Sequence, residues 1–366
     1  MSQQPIRVLQ ILPALHVGGV ERGTLDWALA LKQMGHTPIV VSAGGHGVDL
    51  LKQHDIEHVT MAVGKKSLRS LVLIKKLRQL FQDFQADVVH ARSRMPAWLS
   101  YWAIKQMHDK PAFVTTLHGL HTVSPYASVM AKGDAVIAVS ETAKTYLKTH
   151  FKKHLKTEPV VVFRGIDSSE FPNGYTASDD WLAAKHKAYP LYFKQKKVLL
   201  PGRLSEIKGA MGLIPWLKGV KEGVCLMVNA KPVDSKFSRE FAAKLVKHGV
   251  SDRVVWLGVE RDMKQLYVWA DVVLSVNKKP ESFGRTVLEA LTVGCPVLAF
   301  NQGGVSEVMS VLFPQGLVPV NDWNALTEKI DAFIKAVPVV PAHQSFSLQM
   351  QFEQTMQVYH KVLSKK

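Results

Sequence analysis

The chain has 366 residues, 47% hydrophobic and 21% charged, with 46 lysines and arginines against 30 acids and a formal net charge of +16. That length is too great for one ordinary core and predicts two domains, while the composition excludes a disordered or low-complexity chain. The charge favours anionic partners, but there is no zinc-ligand spacing, aromatic RNA-binding signature or long basic arm, which argues against nucleic acid.

In MSQQPIRVLQILP the apolar run is broken by Pro13, so it does not read as a signal peptide, and no stretch reaches the ~18–20 apolar residues of a membrane span. RVLQIL, PIVVSA, DVVHAR, FVTTLH, AVIAVS and VVVFRG then read as buried strands, separated by helical stretches at 20–34, 67–84, 95–107 and 141–150. Near-continuous Val/Ile/Leu strands alternating with helices predict a parallel sheet covered on both faces. Between Asp167 and Lys197 the pattern weakens, with a possible helix at SDDWLAAKHKAY. It restarts with VLLPGR, VCLMVNA, RVVWLG, DVVLSV, PVLAF and GLVPV. The two cysteines, Cys225 and Cys295, lie in apolar runs of this half and read as buried free thiols. A last helix carries an apolar stripe at Leu348, Phe352, Met356, Tyr359 and Leu363. From periodicity alone it either caps the second domain or crosses to the first.

Ligands of open parallel sheets sit beyond the strands' carboxyl ends, so the strand-to-helix loops hold the candidate chemistry. In PALHVGGVERGT, Gly18 and Gly19 fit an anion at a helix N-terminus or a tight structural turn. Arg92 and Arg94 of HARSRMPAW would project from a strand end toward an acceptor's phosphate or sugar acid, or stay solvated. His118 of TTLHGLHTVSPY closes a strand and suits ligand hydrogen bonding or proton transfer, or is a structural histidine, the commoner case, with His121 close by. In LLPGRLSEIKGA, Arg203 and Lys208 are spaced to put two cations on a diphosphate, with Gly209 opening a helix and adding N–H groups. In PESFGRTVLEA, Glu281 lies in a loop and Glu289 in the helix that starts near Gly284 and Arg285. One glutamate suits a ribose and the other a transferred sugar, with Phe283 and Gly284 bringing main-chain N–H groups to a phosphate; the alternative, favoured by this segment taken alone, is a loop glutamate plus a solvent-facing helix glutamate. The basic apolar segment GKKSLRSLVLIKKLRQLF is either a helix with a solvated face or a surface for an anionic membrane.

GGVERGT, TLHG, VFRGID, PGRLSEIKG, PESFGRTVLEALTVGCPV and NQGGVSEV occur in the order and spacing of retaining glycosyltransferases of family 4, which the chain resembles over nearly its whole length. HARSRMPAW and PESFGRT look most like bacterial members assigned to lipopolysaccharide or other cell-surface glycans. The resemblance implies an α/β GT-B fold: two Rossmann-like parallel-sheet domains facing a cleft, with a C-terminal helix crossing back. Residues 1–168 with about 346–366 would form the acceptor-side domain, and 169–345 the donor-binding domain. It implies that Arg203 and Lys208 bind the donor diphosphate and that Glu289 holds the ribose. Glu281 would lie beside the transferred sugar, His118 near the reacting carbon, and Gly18 and Gly19 near the phosphate. Phe283, Gly284 and Arg285 count with the donor-binding residues. The implied donor is a UDP-, GDP- or ADP-linked sugar with no metal or other cofactor. The implied acceptor is a glycan or a lipid-linked sugar. The implied location is the cytoplasm, peripherally at the inner membrane. Arg164 departs from the Asn or Ser of many members. A nucleotide-sugar epimerase of the same fold and a non-catalytic basic surface-binding protein are the rival readings.

Overall fold

The computed structural model describes residues 4–16, 18–260 and 262–366. They form two units, Met1–Arg164 with Leu348–Lys366, and Gly165–Ser347. The sequence placed the joint at 168/169, in a polar stretch. It falls earlier because Ile166 and Phe171 are buried core residues rather than linker. Ile166 pairs with Ser347 and donates its N–H to the Phe346 carbonyl at 3.0 Å.

In the first unit the strands are β1 (Arg7–Ile11), β2 (Thr37–Ser42), β3 (Glu57–Thr60), β4 (Val88–Ala91), β5 (Ala112–Leu117), β6 (Ala135–Ala138) and β7 (Val160–Val161). They form one sheet, ordered β3-β2-β1-β4-β5-β6-β7 and parallel throughout. Its helices are α1 (Gly19–Gln33), α2 (Gly47–Gln53), α3 (Val72–Asp83), α4 (Arg94–Lys105) and α5 (Glu141–Phe151). Strands β4, β5 and β6 are buried at every position, as covering on both faces requires. The edge strand β3 has no such run, so no apolar signal announced it. Only two residues of VVVFRG join the sheet.

The second unit has β8 (Lys196–Leu200), β9 (Val224–Val228), β10 (Val254–Trp256), β11 (Val272–Ser275), β12 (Val297–Phe300) and β13 (Leu317–Val318), ordered β10-β9-β8-β11-β12-β13 and again parallel. Helices α6 (Asp179–Ala188), α7 (Ile214–Gly219), α8 (Lys236–Lys247), α9 (Met263–Trp269), α10 (Arg285–Thr292), α11 (Gly303–Leu312) and α12 (Trp323–Lys335) belong to it. Cys225 and Cys295 are buried and free, and burial pushes the Cys225 thiol up to about 12.

The last helix, α13 (Leu348–Leu363), belongs to the first unit. Met356, Val358, Tyr359 and Val362 pack with Ile6, Val8, Trp27 and Leu31 in one cluster. Its central tie is the Tyr359 hydroxyl, which accepts from Trp27 Nε1 at 2.9 Å and lies 2.7 Å from His90 Nδ1. His90 Nε2 lies 2.6 Å from Thr116 Oγ1. Every proton is used if Tyr359 donates to Nδ1 and Nε2–H donates to Thr116. Burial, aided by Arg92, holds the His90 pKa well below its ordinary 6.5, which keeps this neutral form. Burial also raises the Tyr359 hydroxyl to about 12.

Two outcomes are expected. Tyr359→Phe leaves the Trp27 N–H and His90 without their shared partner and should cost about 1–3 kcal/mol per stranded group, read by urea unfolding. Below pH 6.5 the unfolded chain protonates His90 while the fold does not, so the unfolded state binds more protons. The contribution is complete above 6.5 and is lost as pH falls below it. Melting temperature should drop between pH 7 and 5, and His90→Asn should flatten that slope.

Candidate functional site

In the second sheet the strand order reverses between β8 and β11, where Val198 and Leu199 pair with Val272 and Val273. Such a switch point opens a crevice at the strands' carboxyl ends. The loop after β8 carries Arg203 and Lys208, and the loop after β11 carries Glu281, Phe283 and Gly284. The two loops meet directly, since Lys208 Nζ lies 2.8 Å from Glu281 Oε1 with both side chains partly exposed. The second loop is fixed from behind by α11. Gly304 N–H donates to the Glu281 carbonyl at 2.9 Å, and a Cβ on Gly304 would come within 2.4 Å of the Ser282 carbonyl. Phe283 is a core residue, 2% exposed, with its ring edge-on to Phe346 at 6.1 Å.

Gly209 does not open a helix. It is left-handed, with φ +75° between two short 3-10 turns, and its N–H is taken by the Glu206 carbonyl. A Cβ there would lie 2.2 Å from the Val276 carbonyl, so glycine is required where this turn crosses β11's end.

Beside these loops is a cavity of about 450 Å³, lined among others by Arg203, Asn229, Ser235, Tyr267, Thr286 and Glu289. That volume suits a small organic ligand. Glu289 is 8% exposed and held on both oxygens: Oε1 accepts from Arg285 Nε at 2.7 Å and Oε2 from the Tyr267 hydroxyl at 2.9 Å. Each oxygen of a carboxylate has two acceptor sites, so the clamped group can still take two vicinal hydroxyls. Burial and the Glu289 charge keep the Tyr267 pKa well above its ordinary value, so it remains the donor. Arg203 is exposed at the rim. Asn229, which ends β9's run, has neither amide atom hydrogen-bonded among the described residues, although both are shielded from solvent.

Sequence reasoning missed Tyr267 and Asn229. The Arg285–Glu289 clamp had a signal, the i, i+4 spacing on a helix. Tyr267 had none, because its contact joins residues 22 positions apart on two different helices. Asn229 was signalled only by its place after an apolar run at a strand's carboxyl end.

In the first unit the structure departs from the expected open strand-end arginine. Arg92 is 6% exposed, because β4 is central and the arginine side chain lies among residues that include Gln351 and Thr355 of α13, and its Nε donates to Gln10 Oε1 at 2.8 Å. Burial lowers its pKa to about 10. Arg94 is the first residue of α4, 5.2 Å from the Tyr126 ring centroid. The two are therefore not brought together on one open surface. Arg92 instead lines a cavity of about 20 Å³ with His118, His90 and Arg164. Both ring nitrogens of His118 are shielded from solvent. Burial first, then Arg164 and Arg92, hold its pKa well below 6.5, so it is a neutral imidazole at neutral pH. His121 is lowered to about 4 by burial and Arg94. Gly18 caps α1 with an extended backbone, and the Gly19 carbonyl accepts from Arg164 Nη2. Among the described residues no group of three or more His, Cys, Asp or Glu is placed to hold a metal ion, and no helix is long and apolar enough to cross a membrane.

The chain is similar in sequence and in fold to known proteins. A glycosyltransferase from Rickettsia africae ESF-5 has a crystal structure 28% identical in sequence, with a TM-score of 0.85 and all of both chains covered. The structure of Anabaena Alr3699/HepE in complex with UDP-glucose is 21% identical, with a TM-score of 0.75 over 99% of this chain and 100% of that one. The lipopolysaccharide core biosynthesis mannosyltransferase LpcC of Rhizobium leguminosarum bv. viciae is 25% identical over 70% of each chain. Alignments with the first curated relatives span 63 to 70% of those proteins' lengths. Residues 17–170 match Glycosyltransferase Family 4, and residues 183–340 match Glycosyl transferases group 1. With two parallel-sheet Rossmann-like units and both family segments in order, the chain belongs to the family 4 glycosyltransferases and has the GT-B fold.

Proposed function

We propose that this chain transfers a sugar from a nucleotide-diphosphate donor to an acceptor hydroxyl with retention at the anomeric carbon. The observation that carries the reading is Glu289, buried in the wall of the 450 Å³ cavity and clamped by Tyr267 and Arg285. It is pre-set to accept the two hydroxyls of a ribose, since the clamps fix its geometry before ligand arrives. Asn229 offers an amide donor and acceptor to the nucleoside in the same cavity. Arg203 at the rim and Lys208 beyond it take the diphosphate. In the free protein Lys208 is neutralised by Glu281. A diphosphate, carrying more charge, draws Lys208 and frees Glu281 to bind the transferred sugar's hydroxyls. His118, neutral and shielded, is a hydrogen-bonding group for that sugar, and Gly18 and Gly19 serve its phosphate.

In the reaction the acceptor oxygen bonds to the anomeric carbon as the carbon–phosphate oxygen bond breaks. The acceptor's proton passes to the leaving diphosphate on the same face. The transition state is oxocarbenium-like, and charge growing on the diphosphate is met by fixed cations, so no step calls on a metal. The HepE complex supports a UDP-linked hexose as the first donor to try. The LpcC likeness supports an acceptor in lipopolysaccharide or another cell-surface polysaccharide. The net charge of +16 supports peripheral work at the anionic cytoplasmic face of a membrane.

Thermal unfolding against UDP, GDP, ADP and their sugar conjugates tests the donor site. One nucleotide class should stabilise wild type, by about 2.7 kcal/mol at ~100 times its Kd. Glu289→Gln, which keeps the shape but weakens acceptance, should lose most of that shift; an unchanged shift removes the ribose role. Lys208→Ala should lower sugar transfer ~10²–10³-fold, and wild-type turnover in that variant would sink the diphosphate assignment.

A further inference from the structure

The first unit contains a second, larger hollow that the donor site does not use. It measures about 820 Å³ and is walled by Leu71, Ile74, Met95, Trp98, Trp102 and Val123. Leu71, Val123 and Trp102 are 56, 50 and 43% exposed, so apolar side chains line an open groove rather than a closed core. Trp98 and Trp102 stack at 6.1 Å with 19° between planes, which makes a flat wall along α4. The groove starts at the strands' carboxyl edge, at Met95 and the loop after β5 that also carries His118, and runs along α4 toward Lys132 and His154.

Cations mark its mouth. Lys66 Nζ lies 4.4 Å and Arg94 Cζ 5.2 Å from the centroid of one ring, Tyr126, and Trp98 Nε1 fixes that residue by donating to its carbonyl at 2.9 Å. Among the described residues, no ion pair involves either cation. Two cations with no carboxylate, set at the open end of an apolar trough, complement a molecule with one anionic head and a long hydrocarbon tail. Arg94 also lies close enough to His121, in the loop after β5, to depress its pKa, second to burial, so the head would lie at the strands' carboxyl edge and the tail would trail along α4.

We infer that this groove holds the hydrocarbon chain of a lipid-phosphate-linked acceptor, with its phosphate against Lys66 and Arg94. The inference rests on the glycosyltransferase reading above and names its acceptor class. A bulk anionic bilayer is the competing occupant. A bilayer requires a broad face, whereas this trough takes a single chain between two helices.

Tryptophan fluorescence reads the site directly, since Trp98 and Trp102 form its wall. Farnesyl phosphate, kept below its micelle concentration, should give a saturable change. Farnesol, which lacks the phosphate, should bind about tenfold more weakly or less well still, as should the double variant Leu71→Ser, Trp102→Ser. Leu71 and Trp102 are 56 and 43% exposed, and the variant's melting temperature, measured beside its lipid binding, separates loss of the groove from loss of the fold. An absent or non-saturable response overturns the inference. So does equal binding of farnesol, wild-type binding by the double variant, or a response confined to anionic phosphatidylglycerol vesicles. Nucleotide-induced thermal shifts, run in parallel on the double variant, report the donor cavity separately. Loss of lipid binding with those shifts intact identifies failure of this groove alone, and absent shifts in wild type identify failure of the donor reading.

Discussion

Parallel pairing lets no strand turn back on its neighbour, so each connection must cross a face of the sheet and each strand must start from the same side. Both sheets obey this throughout. All strand-to-helix loops of a unit therefore leave at one edge. Where strand order reverses, at β8 and β11 in the second unit, two such loops diverge from neighbouring strands and leave a crevice. Lys208 and Glu281, 73 positions apart, meet there only because of that reversal. The same geometry explains why the buried strands are nearly featureless chemically while the residues just after them carry charge.

The site's electrostatics follow from how each charge is satisfied in the free protein. Glu289 is anchored by two donors that are themselves buried or partly so, and its position does not depend on a ligand. Lys208 and Glu281 neutralise each other in a half-exposed pair, which contributes little to stability. One carboxylate is thus rigid and the other exchangeable. In the first unit the reverse solution holds: burial first, and nearby arginines second, keep His90, His118 and His121 neutral.

Strand positions were legible because burial on both faces leaves unbroken apolar runs, as in FVTTLH and AVIAVS. The loop chemistry was legible because charged residues and glycines interrupt those runs at fixed places. What escaped depended on distance or on solvent. Strand β3 is an exposed edge without an apolar run. Arg92 looked open by sequence, but the depth of β4 and the amide of Gln10 on the neighbouring strand bury it. Gly209 looked like a helix start, but the approach of the Val276 carbonyl demands a left-handed turn. Tyr267 reaches Glu289 across two helices, a pairing no local pattern encodes. The last helix could be assigned to a unit only through long-range packing of Tyr359 on Trp27 and His90.

That final helix also sets an order of events during synthesis. Residues 165–347 are continuous, so the second unit has its whole core as soon as its own segment has emerged. The first unit is begun before it, yet Met356, Tyr359 and Val362, which fill the first unit's core, are made after it. Domains ordinarily fold as they emerge, the first-made first. Here the unit begun first is completed after the second, and until residues 348–363 emerge its Trp27 and His90 surface stays open, a natural window for chaperone capture.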